Sequence, residues 1–168
     1  MVNIKRWLIH TFSPPWRWHW TFSKTTLKAI EQAIKLSETQ HSGELRFAIE
    51  TTLPSLRIWQ GQTARQRATE LFAKLGVWDT EENSGVLIYL LLADREVHIL
   101  ADRGINKRVP QADWDAVAQA MEGCFRQGDF LHGSLEGIER ITTILATHFP
   151  ASPDNPDELP NQPIIIRN

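Results

Sequence analysis

Two hydrophobic periods alternate along the chain. Within residues 83–105, an unbroken apolar run at residues 86–92 leads into the charged segment Ala93-Asp94-Arg95-Glu96. Val97, Ile99 and Ala101 then alternate with His98 and Leu100. The uncharged run predicts a strand covered on both faces and the alternating one a strand nearer an edge. The short connection makes the pair an antiparallel hairpin. Upstream, Leu45, Phe47 and Ile49 alternate with Arg46 and Ala48 after Gly43 and predict a first strand. Helical spacing recurs in Leu27, Ile30 and Ile34 behind the cap Ser23, and in Ala64, Ala68, Leu71, Phe72 and Leu75 before the stop Gly76. It returns in Trp114, Val117, Ala118, Met121 and Phe125 after Pro110, and in Leu131, Leu135, Ile138, Thr142, Leu145 and Phe149 after Gly128. Pro54 and Gly61 bracket a loop.

The predicted order is α-β-α-β-β-α-α. First strand, helical crossover and second strand form a right-handed βαβ unit, so those strands are parallel, and the third runs back against the second. Helices on both faces of this mixed sheet give a three-layer α/β/α sandwich. A domain at residues 23–150 is flanked by a leader, 1–22, and a Pro- and Asp-rich tail, 151–168, expected to be extended up to Ile164-Ile165-Ile166. The leader holds Trp7, Trp16, Trp18 and Trp20, with Lys5, Arg6 and Arg17 and no acidic residue. It is expected either to fold back over an apolar face or to contact a protein partner or membrane surface. Pro14-Pro15 prevents one continuous amphipathic helix.

Composition narrows the classes. A domain of this size buries roughly 68–70% of its unfolded surface and needs no staple. The lone Cys124 excludes an intrachain disulfide and a multi-cysteine zinc site, and its helical setting suits a small apolar filler. A formal charge of −2 predicts no global attraction to nucleic acid or anionic lipid. No segment approaches the ~20 apolar residues of a membrane span. Trp7-Leu8-Ile9 is too short for a signal-peptide core, so cytoplasmic residence is expected, with the leader as the route to a peripheral membrane contact.

Topology then sorts the polar groups by sheet edge. Glu44, Glu82, Asn83, Asp102 and Arg103 are expected where the first two strands begin and the third ends. Glu50, Asp94, Arg95 and Glu96 are expected at the other edge. The oxygen-rich set Glu44, Glu82, Asn83 and Asp102 suits a hard cation, calcium or magnesium. The alternative is that Glu44 and Asp102 cap loops or pair with Arg46 and Arg103. Arg103, beside Gly104, is placed to hold an anion such as phosphate or to pair with Asp102 or Glu82. A Gly-rich phosphate loop, His-Glu-x-x-His and Gly-x-Ser-x-Gly are all missing, and no organic cofactor is expected. His10, His19, His41, His98, His132 and His148 are scattered, and each is expected to be solvated.

These residues carry a resemblance. Asn83-x-Gly85-Val86-Leu87-Ile88, Asp94-Arg95, Asp102-x-Gly104-Ile105 and Gly128-Asp129-Phe130 with Gly133 and Gly137-Ile138 resemble the TPM domain, the family that includes thylakoid-lumen phosphatase-like proteins linked to photosystem II repair. Ser42-Gly43-Glu44-Leu45-Arg46, Trp114 with Phe125, His148-Phe149-Pro150 and Asp157-Glu158-Leu159-Pro160 are similar to a compact bacterial branch. Asp102-Arg103-Gly104 stands where many members have Gly-Tyr-Gly. The resemblance implies an α/β/α sandwich, divalent-cation binding through acidic loop residues in some members, and the acid phosphatase activity attributed to plant members. Besides an envelope-associated scaffold that uses the leader as its anchor, two expectations follow. One is a non-enzymatic module that binds a divalent cation and a protein or membrane partner. The other is a metal-assisted phosphomonoesterase, the cation polarising the phosphoryl group and Arg103 clamping its oxygens.

Overall fold

Four strands lie in the order β3-β2-β1-β4 in the computed structural model, which describes residues 4–154 and 156–167. Residues 1–3 of the leader, and Asn155 and Asn168 of the tail, lie outside the described residues. β1 (Glu44–Glu50) and β2 (Gly85–Leu91) pair in parallel from Glu44↔Gly85 to Glu50↔Leu91, and β3 (Glu96–Ala101) runs antiparallel to β2. The hairpin turn holds Arg95 at φ 54°. β3 is an edge strand, as its alternation suggests. β1 is not, because the tail returns as β4 (Ile164–Ile166), parallel to it, with Ala48 opposite Ile164. Arg46 anchors that return by donating to the carbonyls of Pro160 and Gln162 at 2.7 and 2.6 Å.

The helices form the outer layers. Leu45, Phe47 and Ile49 of β1 face α3 (Lys24–Ser37), α7 (Gln111–Arg126) and α8 (Phe130–His148), whose Ile30, Ile34, Trp114, Phe125, Ile138 and Leu145 are buried there. Ala48, Leu87, Tyr89 and Leu91 face α4 (Ser55–Trp59) and α5 (Ala64–Lys74). Sequence chemistry explains the boundaries. Ser23 caps α3 by accepting from Thr26 N, and Thr63 with Gln66 makes a capping box at α5. Gly76 and Gly128 stop α5 and α7 at φ +67° and +86°, where a side chain would be strained.

Three local expectations are corrected. The segment between Pro54 and Gly61 holds the short helix α4. Asp102 caps an unexpected one-turn helix, α6 (Arg103–Asn106), by accepting from Arg103 N. α8 buries Ile138, Thr142 and Leu145 as expected, but its first turns differ: Leu131 is exposed and Leu135 half-buried, while Gly133, Ser134 and Gly137 are buried. The cause lies in α7, since a Cβ on Gly133 would lie 2.7 Å from Phe125 Cε1, so only glycine allows the helices that close.

The leader folds back. α1 (Ile4–Phe12) and α2 (Trp18–Thr21) are separated by Pro14-Pro15, and α1 packs on α4. Leu53 N donates to His10 Nδ1 at 2.9 Å. His10 Nε2 therefore carries the proton and faces Asp94 Oδ1 at 3.0 Å, while Arg6 Nε donates to Asp94 Oδ2 at 2.9 Å.

Candidate functional site

The rim where β1 and β2 begin is built from neighbouring backbones. Glu44 N donates to the Ser84 carbonyl at 3.0 Å, and Asp102 N donates to the Gly85 carbonyl at 2.8 Å. Glu44, Gly85 and Asp102, far apart in sequence, thus stand side by side across the sheet. Asn83 has φ 54°, and its carbonyl accepts from Gly104 N at 3.1 Å. A Cβ on Gly104 would come within 2.7 Å of the Glu82 carbonyl oxygen, so this close approach requires glycine.

Side chains leave this rim in two directions. Toward β3, Asp102 Oδ1 accepts from Arg103 N at 2.7 Å, and Arg103 Nε donates to Asn83 Oδ1 at 2.9 Å. Asp102 Oδ2 is shielded from solvent and has no hydrogen-bond partner among the described residues. Glu82 lines a neighbouring cavity with Ser42, Ser84, Lys107, Arg108 and His148. Arg103 thus lies against Asn83, and among the described residues it forms no ion pair with Asp102 or Glu82.

Toward the tail, Glu44 Oε2 accepts from Glu158 N and Leu159 N at 3.1 and 3.0 Å. Glu38, just past the end of α3, accepts from Leu45 N at 2.8 Å. With Asp157 of the tail these two carboxyls form a group whose ligand oxygens all lie within 4.8 Å of one another. Among the described residues, that group and Cys124, His132 and Glu136 are the clusters of His, Cys, Asp and Glu compact enough to share an ion. Glu82 and Asp102 are in neither. Burial pushes the Glu38 pKa up to about 8; the Leu45 N–H opposes this, and Glu44 and Asp157 reinforce it. Its place at the negative end of α3 also disfavours an anion. Burial likewise raises Glu44, against the opposing N–H groups of Leu159 and Glu158.

The donor set is all carboxylate oxygen, which suits calcium or magnesium better than zinc. Glu44 was legible as a rim residue. Glu38 and Asp157 were not, because one follows a helix and the other lies on the tail, and only the return of the tail onto β1 joins them.

The opposite edge is closed. Glu50 is fully buried and accepts from Arg67 Nε and Nη2 at 3.0 and 2.9 Å and from the Tyr89 hydroxyl at 2.6 Å. Asp94 is held by the leader. The expectation of solvated histidines fails for His10 and His41. His41 is fully buried, lies 2.7 Å from Ser37 Oγ, and is driven by burial down to a pKa of about 4. The rule misled because it reads each histidine without its tertiary neighbours: His10 of the leader docks against Leu53 and Asp94, and His41 bridges to Pro150 just past α8.

No helix among the described residues is long and apolar enough to cross a membrane. No curated protein matches the chain. Among solved structures, the BA42 protein from the psychrophilic bacterium Bizionia argentinensis, determined by NMR, shares 35% identity and a TM-score of 0.76, over 86% of this chain and 94% of that one. The N-terminal domain of a P. gingivalis protein, also determined by NMR, superposes with a TM-score of 0.63 at 17% identity, over 76% of this chain and 78% of its own, a likeness of fold alone. Residues 19–144 match the family model of the TPM domain, and with that span the chain belongs to the TPM domain family.

Proposed function

We propose that this TPM domain is a divalent-cation-binding interaction module. The observation that supports it is the convergence of Glu38, Glu44 and Asp157 at the start of β1. Like charges this close oppose one another's ionisation, and a calcium or magnesium ion removes that opposition. Asp102 Oδ2, unpartnered beside Asn83, offers a second oxygen position on the same rim. Because Asp157 lies on the tail, a cation held by the three carboxylates ties α3, β1 and the tail together at one point.

The interaction surface in this reading is the leader. Phe12 and Trp20 are each 76% exposed, Ile4, Leu8, Ile9 and Trp16 are also exposed, and Lys5 and Arg17 lie among them. Half-apolar indoles beside cations suit a membrane interface or an amphipathic protein partner.

Calcium titration followed by amide NMR tests the cation. Saturable shifts at residues 38, 44 and 157–159 are expected, and their absence at millimolar calcium removes the metal from the proposal. Shifts confined to residues 83 and 102 would move the ion to the Asp102 side of the rim. Co-sedimentation with anionic vesicles, for the wild type and for Phe12→Ser with Trp20→Ser, tests the surface; equal behaviour excludes the membrane. A second reading, a metal-assisted phosphomonoesterase, draws on the cavity lined by Ser84, Lys107, Arg108 and His148 beside Asp102. Hydrolysis of p-nitrophenyl phosphate that is lost in Asp102→Ala would favour it, and no turnover by pure wild type would end it.

A further inference from the structure

We propose that Cys124, His132 and Glu136 form a second metal site, selective for a borderline ion of the zinc type, on the hairpin of α7 and α8. It is independent of the carboxylate rim. Arg95 of the β2–β3 turn reaches the Arg126 carbonyl at the end of α7, which places this hairpin bend by the other edge of the sheet.

The backbone assembles the three ligands. α7 ends at Arg126, Gly128 reverses the chain at φ +86°, and Asp129 caps α8 by accepting from His132 N at 3.2 Å. Gly133 then lets the helices close. A Cβ there would come 2.8 Å from Cys124 Cβ, so any larger residue would push Cys124 away from α8. His132 and Glu136 are one turn apart on α8 and project to the same side, where Cys124 meets them.

The distances are those a shared metal requires. Arg140 donates to Glu136 Oε1 through Nε and Nη2 at 3.0 and 2.6 Å. The other oxygen, Oε2, is left facing Cys124 Sγ at 3.6 Å and His132 Nε2 at 3.6 Å. In a tetrahedral zinc site with ordinary Zn–S, Zn–N and Zn–O bonds, neighbouring ligand atoms are about 3.4–3.6 Å apart. The third pair, sulfur to imidazole, lies within 4.8 Å and closes by rotation of the exposed histidine. Arg140 acts as an outer partner that fixes the carboxylate's orientation, as second-shell groups do in metal sites. A thiolate, an imidazole and one carboxylate oxygen select zinc or cobalt over calcium. Three protein ligands leave the fourth position to water, and the 66% exposure of the His132 side chain keeps it open. On binding, the thiol that donates to Glu136 releases its proton to solvent and the sulfur takes the metal instead.

Cobalt titration of the untagged full chain, read by absorbance, tests the site. A thiolate-to-cobalt charge-transfer band that saturates at one equivalent is expected, bleached by zinc and unchanged by excess calcium. Cys124→Ser is expected to abolish the band, and His132→Ala to weaken cobalt binding by about tenfold or more. His132 is a surface residue, so its variant serves if the cysteine variant does not fold. No charge-transfer band in the wild type overturns the proposal, and so does a band that His132→Ala leaves at full affinity.

Discussion

Replacing Arg67 with methionine isolates a buried ion pair at the end of β1. Glu50 ends β1 with 0% of its side chain exposed, and Arg67, 8% exposed, meets both of its oxygens. Methionine keeps most of the aliphatic stem and removes the bidentate counter-charge. A carboxylate that loses its partner in such a place destabilises the fold by roughly 3–5 kcal/mol. For a domain of this size each kcal/mol lowers the melting temperature by about 2–4 °C, so a fall of roughly 6–20 °C is expected. Tyr89, whose phenol burial and the Glu50 charge hold strongly toward the neutral form, keeps donating to the carboxylate and places the loss at the lower end of that range. Differential scanning calorimetry measures it. Combining Arg67→Met with Glu50→Gln removes both charges and is expected to recover most of the loss, since a neutral buried pair carries no ionic desolvation cost. A single variant that melts within about 2 °C of wild type, or a double variant as unstable as the single, refutes the reasoning.

Three further outcomes follow from the rim and the leader. Gly104→Ala drives a methyl into the Asn83 and Glu82 carbonyls and is expected to cost about 1–3 kcal/mol in urea unfolding, with the largest amide shifts at residues 82–85. Glu38 has a folded pKa of about 8 against an ordinary 4.5, so its favourable contribution is full below 4.5 and is lost as pH rises toward 8. Without divalent cations, wild-type stability should fall across that window; Glu38→Gln should flatten the fall, and calcium should restore the wild type alone. Burial alone would raise Asp94, but its hydrogen bonds from His10 and then Arg6, with the Arg6 charge, outweigh burial and hold it below 3.8. Its contribution to leader docking is therefore present above 3.8 and lost as pH falls through the lower folded value, so proteolysis within residues 4–22 should accelerate under acid and become pH-independent there in Asp94→Asn.

The central layer was legible because its signals are local. All of Trp114, Val117, Ala118, Met121 and Phe125 are buried as their spacing requires, and the hairpin pairs as its turn length requires. The direction of β1 relative to β2 followed from crossover handedness, and it places Glu44, Gly85 and Asp102 on one rim. What the rim side chains do next was not legible. Glu44 is drawn away from Asp102 by two N–H groups that lie 114 and 115 residues later. At the start of α8 the inward positions depart from the periodicity for a related reason, although Ile138, Thr142 and Leu145 follow it. Helical periodicity weighs leucine above glycine, and it cannot see that α7 comes close enough to exclude a side chain at Gly133 and Gly137.

The return of three isoleucines to the sheet has a consequence for assembly. With the tail in place, β1 offers no free row of amides and carbonyls over Ala48, Ile49 and Glu50. Peel the tail away and one side of β1 is left with unpaired backbone groups, the kind of edge onto which another chain adds. A second copy could supply its own isoleucines there, giving reciprocal exchange of tails between two molecules. The grip of Arg46 on the two tail carbonyls thus keeps that side of the sheet covered as much as it braces the fold.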